Sequence, residues 1–244
     1  MDRSEDFADT LDPRRREALV RLGALSVAGV LPSARARAAT SSPSVGCVLI
    51  AQETAGPFPL LEALSNRAIV RRDITEGRSG VPLALHLSLL DVTRGCAPIA
   101  GAAVYVWHCD REGAYSGYEG RGDVSVARQT FLRGVQVSDA AGGVRFDTIY
   151  PGWYPGRVTH VHVQVYLHDD LRGRAIATSQ LAFPDEATRA VYASPQYAAH
   201  GQNTSVRRVV DDFAFADGAV TQMLDVTGSP AQGYRAVLAI GVSA

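Results

Sequence analysis

The chain has 244 residues, 46% of them hydrophobic, enough for one well-cored domain. Its net charge of −1 argues against nucleic acid or an anionic membrane as its main partner. All 24 basic residues are arginine, a bias we assign to composition rather than chemistry.

Residues 1–38 read as an export signal. Arg14-Arg15-Arg16 precedes an apolar run from Leu22 to Leu31, and Ala36-Arg37-Ala38 supplies small residues for cleavage. Consecutive arginines before a modest apolar run suggest twin-arginine export, with an ordinary secretory signal or a cytoplasmic amphipathic helix as the alternatives. The expected location is therefore periplasmic or extracellular, and no later stretch approaches the roughly 20 apolar residues of a membrane span. Cys47, Cys96 and Cys109 would then meet an oxidising compartment; one disulfide and one thiol are expected, and three pairings are open. None of the three has metal-ligand spacing.

Residues 39–80 form a Pro/Gly/Ser-rich arm, and 81–244 a single domain. Leu83, Leu85, Leu87 and Leu89 alternate with smaller or polar residues, which predicts a strand with one buried face. Ala103, Tyr105, Trp107 and Cys109 alternate in a second strand that delivers Asp110 to a Gly-rich loop over 110–130, where a turn role is the default for Asp110. Further strands are predicted at 133–138, 144–149, 159–167 and 176–183, a short helix at 184–192, and strands near 220–226 and 235–242 separated by Gly228-Ser229-Pro230. Many short strands with little helix argue for a mainly β protein, an antiparallel β-sandwich.

The chemistry concentrates around residues 154–162. Positions two apart on a strand share a face, so His160 and His162 project together while Val161, Val163 and Val165 face the core. A histidine pair alone is compatible with a solvent-facing strand. The Tyr154-Pro155-Gly156-Arg157 turn directly upstream adds a phenol, and Tyr115 and Tyr118 supply others. Two imidazoles with phenolates make a hard-to-borderline N/O site suited to ferric iron. Unpartnered by spacing, His86, His108, His168 and His200 are expected to be structural or exposed.

Beyond these residues, the chain resembles the intradiol ring-cleavage dioxygenases, the group that includes catechol and protocatechuate dioxygenases, and is most similar to short, exported bacterial members. The resemblance rests on Thr54-Ala55-Gly56-Pro57-Phe58, Arg72-Asp73-Ile74-Thr75-Glu76-Gly77, Val104 to Asp110, Gly113-Ala114-Tyr115-Ser116-Gly117, Phe131-Leu132-Arg133-Gly134, Tyr150 to Tyr154, His160-Val161-His162 and Ser179-Gln180-Leu181. It implies an Fe(III) cofactor held by Tyr115, Tyr154, His160 and His162, with Tyr118 the neighbouring alternative to Tyr115. It also implies a catalytic set of Arg157, Gln180 and Tyr154: Arg157 stabilising charge on the substrate ring, Gln180 hydrogen-bonding substrate or peroxide, Tyr154 serving as a base. The implied partners are a small-molecule catechol and O₂, and the implied product is a muconate-type diacid. Phe58 stands where relatives often carry tyrosine, and the long helical N-terminal region used by catechol dioxygenases for dimerisation is missing, which leaves the oligomeric state open.

Two rival readings remain at this level. An exported non-catalytic β-sandwich module could bind aromatics or carbohydrate through its Tyr/Trp set. A cupin-like Fe(II) oxygenase would need a carboxylate beside the histidines, and Gln164 stands there instead.

Overall fold

The computed structural model describes residues 47–118 and 124–244. The predicted export signal and part of the 110–130 loop lie outside the described residues. From Cys47 to Gly80 the chain is irregular apart from two 3₁₀ turns, Leu61–Ser65 and Arg67–Ile69.

Among the described residues nine strands follow: β1 (Pro82–Asp91), β2 (Ala97–Pro98), β3 (Ala103–Trp107), β4 (Arg133–Val137), β5 (Gly143–Ile149), β6 (His160–Tyr166), β7 (Ala177–Ala182), β8 (Asp225–Ser229) and β9 (Gly233–Val242). The α-helix among the described residues is α1 (Asp185–Tyr192), after β7. The first sheet runs β2-β1-β9-β8, with β5 also on β1; the second runs β4-β3-β6-β7. Leu83, Leu85, Leu87 and Leu89 pack from the first sheet with Val104, Val106, Val161, Val163, Val165 and Leu181 from the second in one buried cluster. Burying each such side chain stabilises by about 1.5–3 kcal/mol. The predicted β-sandwich is therefore the fold.

Pairing is antiparallel throughout the named strands, except that β1 and β9 pair in parallel from Leu83↔Tyr234 to Asp91↔Val242. Parallel neighbours need a long connection, and nearly the whole domain lies between these two. The C-terminal hairpin also differs from expectation. Gly228 and Ser229 stay in β8, opposite Tyr234 and Gly233. The turn begins at Pro230, which has no N–H to give to the ladder. Cys47 and Cys96 form the disulfide, and Cys109 is a buried free thiol.

Candidate metal centre

Strand register builds the site on the outer face of the second sheet. Trp107 lies opposite Arg133 on one side and His162 on the other, and His162 lies opposite Gln180. A transverse row, Arg133–Trp107–His162–Gln180, thus crosses four strands, and all four residues are buried. His160 follows on the same face of β6, because the side-chain period is two. The valines between point into the sandwich, as their alternation predicts.

Each imidazole is held. Trp107 stacks on His162 with ring centroids 4.8 Å apart and planes 4° from parallel. The Nδ1 of His160 lies 2.7 Å from the Val158 carbonyl, which places the ring proton there and turns the Nε2 lone pair toward the centre. The Tyr154-Pro155-Gly156-Arg157 turn closes with the Arg157 N–H donating to the Tyr154 carbonyl at 3.2 Å. Gly156, at φ 90°, takes the left-handed position that Pro-Gly turns require. Tyr154 and Arg157 are thereby brought to the edge of the histidine pair.

Four donor atoms converge. The Nε2 of His160 is 3.1 Å from His162 Nε2, 3.3 Å from Tyr154 Oη and 3.5 Å from Tyr115 Oη. Tyr118 is engaged elsewhere: its hydroxyl accepts the Leu60 N–H at 2.9 Å. Burial drives the pKa of His160 down to about 3, reinforced by Arg157, and that of His162 well below the usual range, reinforced by His160. Both imidazoles are therefore neutral, as metal ligands must be. Burial raises the phenol pKa values of Tyr115 and Tyr154, so without a cation both are protonated. Among the described residues no three His, Cys, Asp or Glu side chains form a metal cluster; the convergent set is two histidines and two tyrosines. Separations of 3.1–3.5 Å suit donors sharing one ion at metal–donor lengths of about 2 Å. The N₂O₂ set suits ferric iron, with Tyr115, Tyr154, His160 and His162 to hold it.

Arg157 is buried rather than facing water. Its Nε lies 3.0 Å from both carboxylate oxygens of Asp212, its Nη2 donates to Gln180 Oε1 at 2.5 Å, and its Nη1 lies 3.5 Å from His160 Nε2. Gln180 in turn donates through Nε2 to the Thr54 carbonyl at 2.9 Å. Its amide thus bonds at both ends, linking Arg157 to the arm, and keeps one N–H and one lone pair beyond these two contacts. Asp212 is the residue that motif reading misses: it sits 55 positions after Arg157.

The arm roofs the site. Phe58 stacks on Tyr115 at 4.6 Å and meets Tyr154 edge-on at 6.3 Å. Arg133, fully buried, ties the roof to the sheet by donating to the Phe58 carbonyl, the Tyr105 hydroxyl and the Ser116 carbonyl. Asp110 has the turn role expected of it, accepting the N–H groups of Glu112 and Ala114. His108 bridges the Cys109 carbonyl and Thr148 inside the protein, His200 reaches the Trp153 carbonyl, and His168 is exposed. A separate cleft of about 670 Å³ lies beside Val158 and Thr159, lined by Arg189, Tyr192 and Val209 among others, and none of the four donors lines it.

A family model described as dioxygenase matches residues 55–186, more than half of the chain. The chain belongs to the intradiol ring-cleavage dioxygenase family. Among solved structures, it is similar to an intradiol ring-cleavage dioxygenase from Tetranychus urticae at 26% identity and a TM-score of 0.69, over 80% of this chain and 95% of that one. The dioxygenase domain of a carbohydrate-binding fusion protein from Streptomyces sp. SirexAA-E shares the fold at 23% identity and a TM-score of 0.56, over 80% of this chain and 98% of that one. No curated protein sequence gives a significant match.

Proposed function

We propose that this chain is a non-haem Fe(III) dioxygenase that cleaves catechol-type rings between the two hydroxylated carbons, consuming O₂ and releasing a muconate-type diacid. The observation that carries the proposal is the convergence of Tyr115, Tyr154 and His162 donors on Nε2 of His160 within 3.5 Å. Fe(III), the metal this family uses, would supply Lewis acidity and a two-point template for the diol.

The protein's own groups then divide the work. His160 and His162 arrive neutral and pre-oriented by Val158 and Trp107. Tyr115 is buried and Tyr154 only half-buried, so Tyr154 is the phenol that an entering substrate meets, and, held as the phenolate by a bound ferric ion, its Oη would take a catechol proton. Arg157 presents Nη1 toward the same centre, where a fixed guanidinium favours negative charge developing on the ring. Gln180 and the Thr54–Phe58 segment hold that arrangement and exclude water, and the Phe58 ring forms an apolar wall for the substrate.

The test is turnover of catechol and simple substituted catechols with O₂ and no added reductant. The expected product is a cis,cis-muconate. A semialdehyde, which signals cleavage outside the diol, contradicts the proposal.

A further inference from the structure

We infer that Asp212 is a positioning residue for the reaction, fixing the Arg157 guanidinium so that Nη1 faces the substrate. The inference rests on the role given to Arg157 above. Asp212 lies beyond residues 55–186, in the segment between two 3₁₀ turns, Val209–Asp211 and Phe213–Phe215.

The carboxylate has no exposure and four contacts. Both oxygens lie 3.0 Å from Arg157 Nε; Oδ2 accepts the Val158 N–H at 2.7 Å, and Oδ1 accepts the Ala214 N–H at 3.0 Å. Its own backbone is thus locked at the start of the Phe213–Phe215 turn, and the backbone on the way to His160 is locked to it. Phe213 lays its ring 4.8 Å from the Arg157 guanidinium carbon. Asn203 fastens the other end by donating to the Arg157 carbonyl at 2.8 Å.

An arginine offers five N–H groups in one rigid plane. Asp212 takes the Nε–H and Gln180 takes Nη2, two different nitrogens of that plane. Two anchored nitrogens of a planar group fix its orientation, which leaves Nη1 directed at the four-donor centre. The pairing also keeps a buried cation compensated, since an unpartnered buried charge is strongly unfavourable. Gln180 is neutral and cannot supply that compensation. Without Asp212 the guanidinium loses both a charge partner and one of its two anchors, and placement errors near 1 Å cost on the order of 10²-fold in rate.

The experiment is a double-mutant cycle on the iron-loaded protein with catechol as substrate, comparing Asp212→Asn, Arg157→Ala and the combination. Asp212→Asn is expected to lower kcat about 10²-fold while iron per chain, the visible band and the anaerobic affinity for catechol, read from that band, are kept. In the Arg157→Ala background the same substitution is expected to change kcat by less than threefold, because its effect passes through the arginine. Arg157→Ala with full activity defeats the role of Arg157 itself. A slow Arg157→Ala beside a wild-type Asp212→Asn defeats the inference alone, as do additive losses or loss of iron in Asp212→Asn. If Asp212→Asn does not accumulate as folded protein, Asp212→Glu carries the test: it keeps the charge but lengthens the side chain, so the same selective loss of kcat is expected, and a wild-type rate overturns the inference.

Discussion

Gly56→Ala perturbs the candidate metal centre from the roof without replacing a donor residue. Gly56 has φ +68°, and a Cβ built there meets Cε1 of His162 at 2.9 Å. The imidazole has no room to retreat, because Trp107 is stacked flat against it. The backbone has little freedom either, since Pro57 follows and the Thr54 hydroxyl accepts the Gly56 N–H at 2.7 Å. Left-handed backbone at a non-glycine residue costs about 1–2 kcal/mol, and overpacking a filled site adds about 1–3 kcal/mol. Gly77 offers an internal control: it has φ +77° with nothing within 4 Å of its Cβ position. Gly77→Ala isolates the backbone cost, and the difference between the two variants isolates the push on His162. Urea unfolding gives the stabilities, and iron per chain and the visible spectrum report on the centre. Gly56→Ala is expected to be about 1–3 kcal/mol less stable than Gly77→Ala and to bind iron more weakly with an altered spectrum. Equal stabilities together with normal iron content refute the placement of the arm against His162.

Three further outcomes are expected. Tyr115→Phe should bleach or shift the visible band, whereas Tyr118→Phe should keep it and lose about 1–3 kcal/mol of stability by stranding the Leu60 N–H; the reverse pattern makes Tyr118 the ligand. Burial lowers the His108 pKa to about 4, so the folded state stays neutral while the unfolded state takes a proton near pH 6.5. That contribution is fully present above about pH 6.5 and is lost on acidification toward pH 4, so wild type should lose about 2 kcal/mol more than His108→Gln between pH 7 and 5, and equal losses in urea titrations contradict it. Replacing Arg15 and Arg16 with Lys should block the export that we propose for this chain; normal export of that variant, measured by fractionation, points to an ordinary secretory signal.

The parts legible in the sequence are those governed by local periodicity. His160 and His162 share a face because strands repeat every two residues, and the leucines of β1 declare the core by the same rule. Pro155-Gly156 spells out the turn between Tyr154 and Arg157, while the roles of those two residues come from the family resemblance. What escaped depends on distant partners. No local signal pairs Cys47 with Cys96 across 49 positions or lays β9 parallel to β1. Asp212 was hidden for the same reason, although Val-Val-Asp-Asp-Phe places two adjacent acids in an apolar setting. The structure separates them: Asp211 pairs with Arg208 at the surface, and Asp212 turns inward to Arg157. The contacts of Gln180 with Arg157 and with the Thr54 carbonyl likewise depend on partners 23 and 126 positions away, which no local pattern announces.

Ferric iron held by two tyrosines and two histidines is what the proposed function requires. The visible absorption spectrum of the purified, iron-loaded protein tests it most directly, since tyrosinate–Fe(III) charge transfer gives a red-brown colour that neither an imidazole-only site nor an Fe(II) site produces. The expected result is a broad visible band at one iron per chain, absent in His160→Ala and His162→Ala. A colourless protein at full iron occupancy contradicts it.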